Sequence, residues 1–155
     1  MKDGRDETEA ERIDRNLTEL LQELRVAGIG TSVLFAFLLS LPFTNRFAEL
    51  GANQLRLYVA DLLLSALAIA LMTAPVAHHR VVFRRHEKER VLQRANKMAI
   101  FGLAAAALSV SGSVLLILDV VYGGVIVAVL AALTAAVFAV LWFVLPFVDH
   151  RPQDY

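Results

Sequence analysis

Asp61 is the side chain of this sequence with the clearest capacity for chemistry. It stands in an apolar run, Leu57 to Ala77, about four residues from the start. A helix through that run carries its carboxyl group roughly 6 Å inside a bilayer. Ionisable groups inside membrane segments are expensive and mark ion or proton pathways. Asp119 closes a later apolar run on the same side, and Arg46, Arg56 and Tyr122 stand near that end as available partners. Loss of water favours the protonated acid, and a neighbouring Arg favours the carboxylate. Asp61 and Asp119 are therefore the candidate ion or proton site, placed at the mouth of a membrane bundle. The plainer alternative is a structural Asp–Arg contact or a carboxylate that reaches back to the surface.

Other polar groups point to less. His78, His79, His86 and His150 gather on one side of the apolar runs. Neighbours such as His78 and His79 face different sides of a helix and make poor joint metal ligands, so they read as boundary anchors and no metal site is expected. Arg80, Arg84, Arg85, Arg90, Arg94 and Lys97 form a basic segment suited to anionic lipid head groups. Nucleic acid is not expected, because topology alone accounts for that charge. With no cysteine, disulfides, zinc thiolates and thiol catalysis are excluded. There is no nucleophile–base pair, carboxylate dyad or phosphate-binding glycine loop, and Gly28-Ile29-Gly30 sits at the start of an apolar run as a packing feature. Neither an enzyme nor a cofactor is expected.

The elements that must position these groups are apolar helices. The 155 residues are 57% hydrophobic, with a mean hydropathy of +0.59, above the roughly 45–50% apolar content of ordinary soluble domains. The excess lies in four nearly uncharged runs, about 26–43, 57–77, 98–118 and 125–147. Eighteen residues of helix already span about 27 Å, close to the thickness of a hydrocarbon core. The fold class predicted is an all-α integral membrane protein, a four-helix transmembrane bundle. Residues 1–25 form a cytoplasmic amphipathic helix, 78–97 a basic cytoplasmic loop and 148–155 a cytoplasmic tail. Tyr122-Gly123-Gly124 makes a tight hairpin between the last two spans. Residues 1–25 carry a net charge of −3 and residues 78–97 a net charge of +5. Thirteen Lys and Arg on the side of the termini against two on the other place both termini in the cytoplasm of a plasma membrane protein. The charged N-terminal segment lacks the apolar core of a cleavable signal peptide.

Ile13, Leu17, Leu20, Leu21 and Leu24 share one helical face before the first span, and residues 84–97 repeat the pattern more weakly. Both read as interfacial helices leading into hairpins. Pro75-Val76-Ala77-His78-His79-Arg80 and Pro146-Phe147-Val148-Asp149-His150-Arg151 are offset by 71 residues, which suggests two parallel hairpin repeats or a chance match. At that offset Glu19 and Glu23 fall on Arg90 and Arg94, so the acidic and basic segments are expected to dock. Helices in lipid associate through small residues. The stripes available are Gly28, Ser32, Ala36 and Ser40; Ala66, Ala70, Thr73 and Ala77; Ala99, Gly102, Ala106, Ser109 and Ser113; and Gly124, Ala128, Ala131, Ala135 and Ala139. Homo-oligomerisation is an equally open arrangement for so small a bundle.

Glu7-Thr8-Glu9, the run from Arg15 to Val26 (Arg-Asn-Leu-Thr-Glu-Leu-Leu-Gln-Glu-Leu-Arg-Val), the run from Leu34 to Phe43 and Ala74-Pro75-Val76-Ala77-His78 resemble a family of small, uncharacterised actinobacterial membrane proteins. The resemblance implies four spans and no established activity, and some similar sequences carry an automatic sodium:proton antiporter label. Antiporters use ionisable groups near the bilayer midplane, whereas mid-span positions here offer Ser32, Ser65, Ser109 and Thr134. Two functions therefore stand side by side. One is proton- or cation-linked transport, antiporter- or channel-like, through Asp61 and Asp119. The other is a non-transporting membrane scaffold or accessory subunit that works through its cytoplasmic helices.

Overall fold

A computed structural model describes residues 9–82 and 88–145 of the chain, with side chains at most of these positions. Four helices make up the fold: α1 (Glu9–Ser40), α2 (Ala52–Val82), α3 (Lys88–Val121) and α4 (Val125–Ala139). Each supplies most of a segment long and apolar enough to cross a membrane, and the four segments are Arg15–Phe43, Ala52–Ala77, Leu92–Val121 and Val125–Val144. The chain is a membrane protein built as a four-helix bundle.

Three of the helices outrun a bilayer. At 32 residues, α1 measures about 48 Å against a hydrocarbon core of about 30 Å. The segment expected as a separate interfacial helix runs into the first span without a break, and α3 likewise starts at Lys88 and continues to Val121. Burial explains the difference. Leu24 packs with Ala68, Met72 and Ala99, and Leu20 and Ala27 pack against that cluster, so the apolar face is spent on other helices. Glu19 and Glu23 face Leu92, Gln93 and Asn96 across a cleft of about 430 Å³. The two segments thus lie side by side there, while Arg94 lines a different groove, with Lys97. The side chain of Arg90 lies outside the described residues.

Burial follows alternating steps of three and four residues. Tyr58, Asp61, Ser65, Ala68, Met72 and Pro75 are the buried line of α2. On α3 the line is Ala95, Ala99, Gly102, Ala106, Ser109 and Leu116, with Ser113 partly covered between the last two. Leu17, Leu24, Thr31 and Leu38 mark every seventh residue of α1. This is the seam of left-handed helix packing. The small-residue stripe expected on α3 is the one found. On α1 and α2 the expected stripes are largely exposed, Gly28 apart, because those helices contribute larger knobs and α3 supplies the small surface that receives them. A Cβ added to Gly102 would stand 3.0 Å from Met72 Cγ.

The two hairpins are not equivalent. Among the described residues α2 packs on both α1 and α3, whereas α4 packs on α3 alone among the helices. Of the stripe expected on α4 only Ala131 is buried, next to Val127. A turn of π-helix, Val140–Val144, follows α4, where Phe138 and Trp142 meet edge to face with ring centroids 4.8 Å apart. The tight α3–α4 turn is present, and Gly123 and Gly124 both adopt positive φ, 64° and 83°, which side chains with a Cβ resist.

The α1–α2 connection is organised by a proline. Pro42 lies in the short 3-10 turn after α1 and has no N–H to give the carbonyl four residues back, that of Leu38. Tyr58 of α2 supplies the missing donor, its hydroxyl donating to Leu38 O at 3.0 Å in a buried setting. Phe47 meets the Tyr58 ring edge to face at 5.0 Å. Leu38, Tyr58 and Leu116 thereby form one packed layer across α1, α2 and α3. Tyr58→Phe keeps the ring and leaves the carbonyl unpaired. The expected outcome is a loss of about 1–3 kcal/mol in reversible unfolding from detergent micelles, with helix content unchanged.

Candidate functional site

Asp61 faces α3 from the buried line of α2 and is 1% exposed. Positions 54, 58, 61 and 65 share one face of the helix, so Gln54, Tyr58, Asp61 and Ser65 form a polar edge along an otherwise apolar element. The opposing face of α3 presents Ser109 and Ser113, one turn apart. Ser109 donates to Asp61 Oδ1 at 2.6 Å and Ser113 donates to Asp61 Oδ2 at 2.5 Å. Each carboxyl oxygen thus has its own hydroxyl. Ser109 also lies 3.4 Å from the Asp61 carbonyl oxygen.

Gly112 faces the carboxyl from α3, and a Cβ there would stand 3.4 Å from Asp61 Cγ and Oδ1, in ordinary contact. One turn along α2, Ser65 is fully buried and donates to Leu62 O at 2.8 Å. All the buried polar side-chain atoms of the described residues have a hydrogen-bond partner.

The carboxyl is closed off in both directions. Toward the α1–α2 connection lies the layer of Leu38, Tyr58 and Leu116. Toward the other end lie Leu24, Ala68, Met72, Ala99, Ala105 and Ala106. Beyond the first layer, at the bundle end, Gln54 Nε2 donates to Asp119 Oδ2 at 2.8 Å. Gln54 Oε1 accepts from Gly51 N at 2.9 Å.

Asp61 and Asp119 therefore do not form one site. They are separate polar stations on the α2–α3 seam with an apolar layer between them. The Arg partners expected from sequence are not there either. Arg46 pairs with Glu49 at 3.7 Å on the surface, Arg56 is exposed, and Tyr122 is 74% exposed. Asp61 has no ion pair among the described residues, and its partners are the two serines. Along the helix Asp61 stands nine residues after Ala52, where the apolar segment of α2 begins, about 14 Å along the axis.

Of the basic group, Arg94 and Lys97 line a groove on the outer face of α2 and α3. Arg84 and Arg85 lie outside the described residues, as do the side chains of Arg80 and Arg90. The same holds for His86, His150 and the side chains of His78 and His79. No cluster of three His, Asp or Glu side chains suited to a metal ion occurs among the described residues. Gly112, Gln54 and Tyr58 were missed in the sequence. The signal that finds them is the alternating 4-3-4 spacing of 54, 58, 61 and 65, read together with 109, 112 and 113 on the facing helix.

The model of a family of unknown function, DUF6328, matches residues 6–146, which take in the whole of the described bundle, and the chain belongs to that family. No curated protein and no solved structure matches it.

Because the two serines act on one carboxyl, their contributions depend on it. Ser109→Ala/Ser113→Ala is expected to destabilise the protein by about 1–3 kcal/mol, since interhelical hydrogen bonds in membranes average about 0.6 kcal/mol with a maximum near 1.7 and a stranded carboxyl adds its own cost. In an Asp61→Leu background the same pair should cost much less. A double-mutant cycle on unfolding in detergent measures the coupling.

Proposed function

We propose that the protein carries out proton-linked transport, with Asp61 as the group that binds and releases the proton. The observation that carries this reading is the setting of Asp61: 1% exposed, deep in a membrane segment, and held by Ser109 and Ser113 with no cation against it among the described residues. A purely structural carboxyl in such a place would be costly, because an ion taken out of water without a countercharge loses several kcal/mol that neutral hydroxyls only partly return. Intramembrane carboxyls of this kind mark proton relays.

The ligand set favours a proton over a metal ion. Both oxygens of the one carboxyl are already engaged by hydroxyls at hydrogen-bond distance. A hard cation needs several oxygens gathered about 2.0–2.6 Å around it, which would require both bonds to open. A proton requires only that a hydroxyl reverse its role from donor to acceptor.

The arrangement corresponds to an occluded state. Access from the Gln54–Asp119 end needs the Leu38–Tyr58–Leu116 layer to part, and Tyr58 is the one polar side chain in that layer. By the distribution of Lys and Arg, that end faces outward and the extended ends of α1 and α3 face the cytoplasm. Release to the cytoplasm needs the longer apolar layer around Met72 to open. Exchange of a proton for another solute would couple the two openings.

A second reading rests on a different observation. The continuous helices α1 and α3 extend beyond a bilayer's thickness on one side and form a cleft of about 430 Å³ there, as a scaffold or accessory subunit that docks a partner would.

Reconstitution in liposomes loaded with a pH-sensitive dye separates the two. The transport reading expects proton movement under an imposed gradient, lowered at least tenfold by Asp61→Asn. Asn is near-isosteric and retains hydrogen bonding, so unfolding should move by no more than about 1 kcal/mol. Absence of flux in the native protein across pH gradients and salts, or full flux in Asp61→Asn, would reject the assignment and leave the scaffold reading.

A further inference from the structure

The outer face of the α2–α3 pair carries a groove of about 650 Å³ that the buried carboxyl does not use. Its walls are apolar, with Leu67 and Leu71 from α2 and Phe101 and Leu108 from α3. Leu67, Phe101 and Leu108 are among the exposed large hydrophobic residues. One end is different. Arg94 and Lys97, three residues apart on the same side of α3, line it there. Neither has an acidic partner among the described residues. Both sit in the first two turns of the apolar segment Leu92–Val121.

We propose that this groove is a binding site for one anionic phospholipid, with the phosphate held by Arg94 and Lys97 and one acyl chain laid against Leu67, Leu71 and Phe101. Polarity and dimension fit that occupant. Two cations at one end followed by an unbroken apolar trough match a head group and its chain. From Arg94 to Leu108 the trough runs about 21 Å along the helix, longer than the roughly 15 Å of one bilayer leaflet, so a chain has room to lie down fully. The volume of about 650 Å³ lies within the roughly 300–1,000 Å³ of ligand sites. A soluble anion would gain the charges and nothing from the trough. A zwitterionic lipid would gain the trough and little from the charges.

The site also bears on the seam behind it. The groove floor includes Ala105, and Leu108 precedes Ser109, so an acyl chain in place would brace the two helices that grip Asp61.

The test is lipid retention by the full-length protein, measured by native mass spectrometry after detergent exchange from vesicles of phosphatidylglycerol and phosphatidylcholine. The expected result is preferential retention of a single phosphatidylglycerol. Each Lys or Arg near a membrane surface changes anionic lipid binding about fivefold, so Arg94→Gln/Lys97→Gln should lower retention about 25-fold. Ala104→Trp fills the trough, leaves both charges in place and should also lower retention. Glycerol phosphate, which has no chain, should not compete. Equal retention of the two lipids overturns the proposal. So does retention unchanged in either variant, or competition by glycerol phosphate as strong as by the intact lipid, which would identify a site for soluble anions. Helix content by circular dichroism confirms that the variants are folded.

Discussion

A carboxyl group buried between two apolar helices must take its hydrogen bonds from those helices, and α2 and α3 come close enough to provide them. The close approach at Gly112, the pair Ser109 and Ser113, and the carboxyl of Asp61 are one arrangement. Gly112 lies against the carboxyl between the two serines, and without the serines the carboxyl has no partner among the described residues. The rest of the bundle is disposed around this seam. α1 closes it on one side with Leu24 and Leu38, and α4 rests on the outside of α3.

The same seam sets a direction. Polar groups occur at the Gln54–Asp119 end and again at Asp61, separated by one apolar layer. On the other side the apolar layer is deeper and ends in the extended helices. Tyr58 holds the thinner layer together by serving the carbonyl that Pro42 leaves without a donor. A residue that terminates α1 is therefore tied, through a single hydroxyl, to the layer that shields the candidate proton site. Any opening of that layer has to break the bond or carry α1 along.

Much of the fold was legible in the sequence. Four uncharged runs separated by charged segments have no inexpensive place except a bilayer, and the number of spans and the Tyr122-Gly123-Gly124 hairpin follow from them. The small face of α3 was also legible, because Ala99, Gly102, Ala106, Ser109 and Ser113 already alternate by three and four. The stripes on α1 and α2 were misread for a physical reason. Small residues on those helices are as compatible with lipid as with a neighbour, and the buried line there is made of Leu24, Leu38, Tyr58 and Met72, which insert into the small face of α3. That the amphipathic segments continue unbroken into the spans was not legible, because amphipathic periodicity reports that a face is covered and not what covers it.

The sequence by itself determined that Asp61 is a carboxyl set in an apolar helical run long enough to cross a membrane. Only the tertiary structure decided its partners. Arg46 and Arg56 were nearer in expectation, but a cation has no reason to leave water for the seam, and Arg46 stays with Glu49 at the surface. Ser109 and Ser113 lie some fifty residues along the chain from Asp61, and only the packing register of α2 on α3 sets them opposite its two oxygens.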